Sequence, residues 1–436
     1  MNQRYFHNEE FLTRQELDSL QLARLQNTVY QASSSPFYRD QFAKSGLKVR
    51  DIQSLDDIRK LPLTSKEDLR SQYPYGMLTQ PLEKMVRLHA SSGTTGDPTV
   101  IMHTQNDLNI WADLMARCMH MVGVRPGDVF QNMSGYGLFT GGLGIHYGAE
   151  RLGCLTIPSG AGNSKRQIKL LKDFNVSVIH IIPSYALHLY TVFEKMGLDP
   201  KEELSLKIAL IGAEPHSEQT RQRIEDLYGI KAYNSFGLSE MNGPGVAFEC
   251  PFQNGMHIWE DAYFIEILDP KTQEPVEEGE VGELVLTTLA REGMPIIRYR
   301  TRDLTRYIPG ECECGRVHKR FDRILGRADD MIILKGVNIY PMQIERVLMA
   351  VPEVGQNYLI VLEREGHLDQ MRIKVEIKEE FFVEDMRVLK GLQQKIARFL
   401  RDEILITPRV ELVEHNSLPK SEGKAQRVLD ERTNGM

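Results

Sequence analysis

The chain has 436 residues, of which 41% are hydrophobic and 26% charged, and its formal net charge is −7. This length and composition indicate an ordinary globular protein that buries a sizeable core and divides into two or more domains. The acidic balance argues against a nucleic-acid partner, and the sequence contains no apolar run of membrane-spanning length.

The N-terminal segment MNQRYFHNEEF contains acids and lacks the apolar core of a signal peptide, which favours the cytoplasm. Five cysteines in so long a chain, two of them spaced C-x-C, suit reduced thiols or metal ligands better than a disulfide framework. The first predicted helix carries Leu17, Leu20, Leu25 and Val29 on one face.

A stretch rich in hydroxyl groups and glycine lies between an apolar extended segment and a helix predicted over residues 107–123. We expect it to follow a core strand. Short hydroxyls and backbone N–H groups freed by glycine can surround phosphate oxygens, although a surface turn would have the same composition. It is not a Walker A loop, since Asp97 stands where that motif needs lysine, and no GxGxxG fingerprint follows a strand. The candidate phosphate-binding residues are Ser91, Ser92, Gly93, Thr94, Thr95 and Gly96.

Strand and helix patterns then alternate along the chain. Strands are predicted over residues 129–133, 154–158, 176–182, 206–211 and 230–234, and helices over residues 141–152, 165–175, 184–196 and 218–227. Alternation of this kind predicts a parallel sheet with right-handed crossovers, which binds ligands at the carboxyl ends of its strands. Three loops would meet there, at residues 91–96, 212–215 and 234–240.

The pattern changes after residue 261. A hairpin is predicted over residues 263–268 and 283–288, and a further strand over residues 295–299. A small βαββαβ unit follows, with helices over residues 342–349 and 387–402 on one face of an antiparallel sheet.

These patterns predict an α/β fold of two domains. The N-terminal domain, residues 1–327, would contain mixed or parallel sheets flanked by helices, together with a β-hairpin region. The C-terminal domain, residues 330–436, would be a small α+β unit. The charged, glycine-flanked boundary suits a hinge near Asp329.

Three segments carry candidate chemistry, and each has a plainer alternative. Phe236, Ser239 and Glu240 could serve an adenine ring and a Mg²⁺-bound phosphate, or could form an ordinary strand–turn–helix cap. Asp303 lies among cations and could accept ribose hydroxyls, or belong to a surface ion-pair cluster. Lys424 is flanked by glycine and alanine and could reach a ligand, or could be solvated surface.

A metal site is predicted from four soft or borderline ligands in two clusters, Cys250, His257, Cys312 and Cys314. Four nitrogen and sulfur ligands with no free position suit structural Zn²⁺. The alternative is reduced cysteines in turns, and His318 could take the place of His257. Cys118 and Cys154 lie in apolar patterns typical of a core.

In this order, the segments resemble the phenylacetate–CoA ligase family of acyl-adenylate-forming enzymes over nearly the whole chain. The motifs that carry the resemblance are LPLTSKEDLR, SSGTTGDPT, SGYGLFTGGLG, IGAEP, FGLSE, RYRTRDLT, GRADDMIILKGVNIYP and LPKSEGKAQRV. The resemblance implies a large N-terminal domain, a small mobile C-terminal domain and a homodimer. It also implies two steps: a carboxylate attacks the ATP α-phosphate to give acyl-AMP and pyrophosphate, and the thiol of coenzyme A then displaces AMP.

The same resemblance implies roles for individual residues. Residues 91–96 would hold the β- and γ-phosphates, Ser239 would contact the α-phosphate, and Glu240 would bind Mg²⁺. Lys424 would bridge the attacking carboxylate and the α-phosphate, and Gly336 would lie near the pantetheine path. The remaining nucleotide-binding residues are Glu214, Pro215 and Phe236 beside adenine, Asn234, Ser235 and Gly237 in the same segment, and Asp303 and Arg327 on the ribose. Phe236 stands where the family usually has tyrosine, which keeps the stacking face but removes a hydroxyl.

The acyl pocket implied by the resemblance contains Tyr136, Phe139, Gly141 and Ala213. The two rings suit an aromatic acid, although Phe139 could equally be core packing. Without a nearby cation for a second substrate charge, we expect a plain aryl or arylacetic acid, with phenylacetate first. The alternatives are adenylation followed by transfer to an amine or a carrier protein, and a non-catalytic nucleotide-binding regulator. The set Lys424, Glu240 and Asp303 favours a catalyst.

Overall fold

The structure is a computed structural model that describes residues 6–91, 98–335, 337–365, 368–382, 386–419 and 426–432. Its α-helices are α1 (Arg14–Ala32), α2 (Pro36–Ser45), α3 (Lys66–Ser71), α4 (Gln105–Met121), α5 (Thr140–Leu152), α6 (Ser164–Asp173), α7 (Pro183–Lys195), α8 (Pro200–Glu203), α9 (Glu218–Tyr228), α10 (Pro341–Met349) and α11 (Met386–Ile404). Within these ranges, none of the helices combines the length and apolar composition needed to cross a bilayer.

The strands form five sheets in the described part of the chain. They are β1 (Met85–Ala90), β2 (Val100–Thr104), β3 (Val129–Asn132), β4 (Leu155–Ile157), β5 (Val178–Ile181), β6 (Ile208–Gly212), β7 (Lys231–Leu238), β8 (Gly243–Glu249), β9 (Met256–Ile258), β10 (Tyr263–Leu268), β11 (Gly282–Thr288), β12 (Tyr299–Thr305), β13 (Tyr307–Ile308), β14 (Arg320–Phe321), β15 (Gly326–Arg327), β16 (Ile332–Leu334), β17 (Val337–Ile339), β18 (Val354–Glu365), β19 (Leu368–Ile377), β20 (Arg409–Val413) and β21 (Val428–Asp430).

The largest sheet has nine strands in the order β13-β14-β9-β8-β7-β6-β5-β3-β4. The pairs from β4 to β7 are parallel, as the alternation of strands and helices predicted, and the pairs from β7 to β13 are antiparallel. Successive side chains point to opposite faces of a strand, so Val178 and Leu210 pack toward α4 and α5, whereas Ile179 and Ile211 pack toward α6, α7 and α9. Both faces are therefore covered, which explains why these strands are apolar throughout.

The remaining sheets extend this frame. The four-stranded sheet β10-β11-β12-β15 shares the core that contains α1, α4 and α5. After residue 331 the chain forms a separate core around the mixed sheet β20-β19-β18-β21 and the helices α10 and α11. A polypeptide with two independent cores is expected to fold as two units.

Four details of the sequence prediction were wrong. The loop at residues 91–96 follows β1, which pairs antiparallel with β2 in a sheet of its own and does not belong to the parallel sheet. Residues 234–238 continue strand β7, and an antiparallel strand follows them where a helix was considered. The strand predicted over residues 295–299 begins at Tyr299. The C-terminal sheet is mixed: β21 pairs in parallel with β18, and the first predicted strand of that unit lies in the separate hairpin β16–β17.

Candidate active site

The candidate site begins where β6 and β7 end together. Parallel register pairs Ile211 with Asn234 and Gly212 with Ser235. A Cβ at Gly212 would lie 2.4 Å from the carbonyl oxygen of Ser235, so only glycine allows this approach. The next residue, Ala213, has a left-handed φ of 69°, which costs free energy in a residue with a Cβ and turns the chain sharply. The turn therefore brings together the predicted residues Ala213, Glu214, Pro215, Asn234, Ser235 and Phe236.

Two of these side chains are fixed by neighbouring elements. A carboxylate oxygen of Glu214 accepts a hydrogen bond from the backbone N–H of Ser184, at the start of α7, at 2.7 Å. The ring of Phe236 is buried and meets Phe321 edge to face, with ring centres 5.5 Å apart. Both residues are thus held rigidly at the edge of the sheet.

Ser239 and Glu240 lie in a short 3-10 turn, Ser239–Met241, between β7 and β8. The hydroxyl of Ser239 lies 3.2 Å from that of Thr140 at the start of α5. Glu240 is buried, and the guanidinium of Arg291 donates to its backbone carbonyl at 2.8 Å. Burial, followed by the Glu240 carboxylate, raises the pKa of Tyr299 well above its ordinary value. Arg291 therefore holds the backbone of this turn, and Glu240 places its buried carboxyl group beside Tyr299.

Asp303 and Arg327 lie opposite each other in the pair β12–β15. An Arg327 guanidinium nitrogen is 3.1 Å from an Asp303 carboxylate oxygen, and another is 2.8 Å from Asp329. Burial raises the pKa of Asp303 to about 7, and the opposing effect of Arg327 is offset in part by the charges of Asp329 and Glu240. These four groups therefore share one electrostatic environment.

A cavity of about 640 Å³ lies between the two cores. Its lining includes Glu214, Pro215 and Asp329 on one side and Gln426 and Arg427 on the other. The predicted catalytic Lys424 lies outside the described residues.

Other predicted ligand residues also fall outside the described ranges, namely Ser92, Gly93, Thr94, Thr95, Gly96 and Gly336. Ser91 is described, and its backbone N–H donates to the carbonyl of Thr99 across the base of the loop at 3.0 Å. The hydroxyls of Ser91 and Thr99 are buried without a hydrogen-bond partner among the described residues. Unsatisfied buried hydroxyls at this position are consistent with a polar ligand.

The predicted acyl residues Tyr136, Phe139 and Gly141 lie in or directly beside the turn at residues 134–140. The amide nitrogen of Asn132 donates to the carbonyl of Gly142 at 2.7 Å and to the hydroxyl of Tyr136 at 3.0 Å. Burial raises the pKa of Tyr136 to about 12. No described atom lies within 4 Å of the place a Cβ would take at Gly141, and the Phe139 side chain is 53% exposed. The core-packing alternative for Phe139 was therefore wrong.

This turn also contacts the start of the predicted phosphate loop. The carbonyl of Leu138 accepts hydrogen bonds from the backbone of Ala90 and the ring of His89, each at 3.0 Å. Candidate acyl and phosphate segments are thereby joined, although they belong to different sheets.

The four predicted metal ligands converge at one point. Their ligand atoms all lie within 4.8 Å of one another, and all four residues are buried. The Sγ atoms of Cys250 and Cys312 are 3.7 Å apart, and Sγ of Cys314 is 3.2 Å from Nε2 of His257. A tetrahedral zinc with sulfur ligands at 2.3 Å requires edges of about 3.8 Å, so the spacing fits.

The surroundings of this cluster orient its histidine. Nδ1 of His257 donates to the carbonyl of His318 at 3.0 Å, which turns Nε2 toward the sulfurs. His318 itself points away and accepts a hydrogen bond from the backbone of Glu260. The geometry thus selects His257 over His318. A hydrogen bond from Cys250, reinforced by one from His257, holds the pKa of Cys314 far below its ordinary value, and the same hydrogen bond raises the pKa of Cys250.

Sequence reasoning missed several residues that shape the site. Arg291 is buried and holds the turn that carries Glu240, and nothing in the local sequence pattern indicates this role. Tyr299 lay inside a quoted motif without a role. His180 is buried, and its Nδ1 lies 2.6 Å from the hydroxyl of Ser134.

Comparison with known proteins agrees with this geometry. Residues 38–289 match the AMP-binding enzyme family, and residues 336–432 match the AMP-binding enzyme C-terminal domain. The phenylacetate-coenzyme A ligase of Thermus thermophilus is 46% identical, and the match covers 97% of this chain and 98% of that protein. The enzyme of the same name from Escherichia coli is 43% identical, with 96% and 95% covered. The chain belongs to the phenylacetate–CoA ligase family.

Solved structures show the same family architecture. A 2-hydroxyisobutyryl-CoA ligase in the postadenylation state, in complex with 2-HIB-AMP, superposes with a TM-score of 0.93 at 31% identity. That match covers 99% of this chain and 93% of the other. The same ligase with 2-HIB-AMP and CoA in the thioesterification state gives a TM-score of 0.73 at 32% identity and the same coverage. The fold is thus that of adenylate-forming enzymes, with a large N-terminal α/β domain and a smaller C-terminal domain.

Proposed function

We propose that this protein is an ATP-dependent phenylacetate–CoA ligase that forms phenylacetyl-AMP and then its CoA thioester. The observation that carries the proposal is the convergence of Glu240, Asp303 and Arg327 with the 213–215 turn at the ends of β6 and β7. Identity of 43–46% to phenylacetate-coenzyme A ligases over nearly the whole chain supports it.

The first step must overcome repulsion between two anions. At 4 Å, two like charges repel by about 4 kcal/mol at an effective dielectric of 20. Positive or hydrogen-bonding groups placed in advance remove this barrier. In our proposal residues 91–96 hold the β- and γ-phosphates, Ser239 donates to the α-phosphate, and Lys424 bridges it to the attacking carboxylate.

The rest of the nucleotide would use groups already described. Asp303 and Arg327 would bind the ribose, and Glu214, Pro215 and Phe236 would enclose adenine, with Asn234, Ser235 and Gly237 shaping the same segment. Glu240 offers the hard oxygen ligand that Mg²⁺ prefers, and the ion would neutralise phosphate charge when bound. Gly336 would lie beside the pantetheine chain of coenzyme A.

The acid would lie between the 134–140 turn and Ala213. The exposed ring of Phe139 and the half-buried ring of Tyr136 suit an aromatic group. A panel of acids that includes phenylacetate, benzoate and 2-hydroxyisobutyrate, measured by coupled AMP release, tests this choice. Phenylacetate should give the highest kcat/KM, and a preference for the aliphatic acid would contradict the proposal.

Omission of coenzyme A tests the order of steps. Phenylacetate should then support ATP–pyrophosphate exchange and accumulation of acyl-AMP, and addition of coenzyme A should convert it to thioester. Exchange without thioester would indicate transfer to an amine or a carrier protein, and binding of ATP without exchange would indicate a regulator.

We further propose that Cys250, His257, Cys312 and Cys314 hold one structural Zn²⁺, because their set has no open position for catalysis. Rotation of residues 330–436 about a hinge near Asp329 would separate the two half-reactions, and the separate C-terminal core supports this. The family resemblance alone suggests a homodimer, which light scattering would test.

A further inference from the structure

One buried carboxylate of the C-terminal domain reaches across to a helix of the N-terminal domain. Oε1 of Glu345, on α10, accepts the backbone N–H of Ser217 at 3.0 Å and the hydroxyl of Thr220 at 2.8 Å. Ser217 is the N-cap residue immediately before α9, and Thr220 lies in the first turn of this helix. Oε2 of Glu345 accepts the hydroxyl of Tyr358 at 3.1 Å, and Glu345 is 9% exposed. Its negative charge therefore satisfies free donors at the positive end of α9.

A second contact lies about one turn beyond Thr220 on the same helix. The two terminal guanidinium nitrogens of Arg223 donate to the carbonyls of Val354 and Gly355, each at 3.0 Å. These carbonyls begin strand β18 of the C-terminal domain. Because the guanidinium fork is planar, two such bonds fix orientation as well as distance. We call the contacts of Glu345 and Arg223 with the opposite domain the domain latch.

The domain latch is connected to the segment that carries Lys424. Tyr358, which donates to Glu345, lies under the guanidinium of Arg427 at 4.6 Å from the ring centre. The backbone N–H of Ile360 donates to the carbonyl of Arg427 at 2.8 Å. The latch therefore determines where Arg427 lies relative to α9.

The latch is found in a domain arrangement that resembles one solved state of a related ligase more than another. The described structure superposes on the postadenylation complex with a TM-score of 0.93 and on the thioesterification complex of the same ligase with 0.73. We propose that Glu345 and Arg223 are positioning residues which hold the C-terminal domain in the adenylation arrangement and must leave α9 before thioester formation. This inference depends on the proposed function.

The test separates the two half-reactions. Glu345→Ala removes the acceptor of the two donors at the start of α9 and of the Tyr358 hydroxyl, and a hydrogen bond to a charged group is worth about tenfold in an equilibrium. ATP–pyrophosphate exchange should therefore fall about tenfold, while thioester formation from added acyl-AMP is unchanged or faster. Glu345→Gln keeps an acceptor oxygen and should recover part of the loss. Arg223→Met should change the ratio of half-reactions in the same direction as Glu345→Ala.

Matched controls break an ion pair within the C-terminal domain. Arg346 is the neighbour of Glu345 on α10 and pairs with Glu403 on α11. Arg346→Met and Glu403→Ala should leave the ratio of the two half-reactions unchanged. Equal losses in both half-reactions for Glu345→Ala, or an unchanged exchange rate, would overturn the inference.

Domain arrangement gives a readout that does not require activity. Small-angle X-ray scattering of the full chain should give a larger radius of gyration for Glu345→Ala and Arg223→Met than for the control variants. If wild-type protein shows no carboxylate-dependent exchange, the proposed function fails, and the scattering comparison alone decides the latch. Identical scattering from all variants would then refute it.

Discussion

Lys424 is the residue on which the proposed adenylation depends most. Loss of a preorganised electrostatic group costs about 10²–10³-fold in rate. Lys424→Ala should therefore lower ATP–pyrophosphate exchange by about this factor and leave thioester formation from added acyl-AMP near the wild-type rate. The measurement is exchange of labelled pyrophosphate.

Lys420→Ala offers a matched control for Lys424→Ala, because it removes the same charge four positions earlier in the same segment. It should have little effect. Equal losses in the two variants would indicate that the segment needs positive charge in general and would deprive Lys424 of its specific role.

Asp303 gives a prediction about pH. Its pKa is about 7 in the folded chain and near 3.9 in an unfolded one, so the folded state binds more protons between these values. Stability contributed by protonated Asp303 is thus present at pH 4 and falls as pH rises to about 7. Thermal unfolding should show Asp303→Asn gaining stability relative to wild type between pH 5 and pH 8.

Asp322 provides the comparison, because it pairs with Arg306 nearby at 3.1 Å and is partly exposed. Asp322→Asn should change stability by a similar amount at pH 5 and at pH 8. If the difference in stability between wild type and Asp303→Asn stayed constant from pH 5 to pH 8, Asp303 would be ionised throughout this range.

At the scale of elements, the close approach of α5 to the preceding turn sets the acyl pocket. A Cβ at Gly142 would lie 2.4 Å from the carbonyl oxygen of Gly135, so the turn that carries Tyr136 and Phe139 must move. Gly142→Ala should raise KM for the acid several-fold more than KM for ATP. Overpacking of this kind also costs about 1–3 kcal/mol of stability.

Gly135→Ala lies in the same turn, where no described atom stands within 4 Å of the added Cβ. Its KM values should stay near those of the wild type. If both glycine variants raised KM for acid and ATP equally, the turn would not be a selective part of the acyl pocket.

The sequence predicted the elements better than their pairing. The alternation of strand and helix patterns from residue 129 to residue 234 was sufficient to predict the parallel half of the large sheet. Buried strands and amphipathic helices can be recognised from local sequence patterns. The five-residue strand β2 was missed, and with it the hairpin that separates residues 91–96 from the parallel sheet. Periodicity identifies which face of a strand is buried, but it does not identify the partner strand.

The candidate site shows the same difference between local patterns, which the sequence reveals, and long-range contacts, which it does not. Asp303 and Arg327 were named from motifs and meet at 3.1 Å, whereas the support of Glu240 by Arg291 spans 51 positions and has no local signal. The contact of Ser217 with Glu345 spans 128 positions. Such contacts depend on how whole helices and strands pack together. A single sequence, without related sequences, does not predict that packing.

At the scale of the whole molecule, the proposed zinc joins segments 62 positions apart, at the end of β8 and before β14. Its binding free energy would add to the folding free energy of the large domain. Purified protein should contain one zinc per chain by elemental analysis. Cys314→Ser should lose the metal and lower the melting temperature, whereas Cys154→Ser, outside the cluster, should keep it.

Zinc that is absent from chelator-washed wild-type protein would refute the site. Zinc retained by the Cys314→Ser variant would support the metal site but show that Cys314 is not one of its ligands.

Strand β21 has a consequence for the segment that contains the proposed catalytic Lys424. Three residues, Val428–Asp430, pair with β18 just after this segment, and just before it the backbone N–H of Leu418 donates to a carboxylate oxygen of Glu376 at 2.8 Å. The chain is therefore attached to the C-terminal sheet on both sides of residues 420–425. A protein shortened after residue 425 would retain every residue to which we assign a chemical role. We expect it to lose adenylation nonetheless, because the pairing of β21 with β18 would be removed.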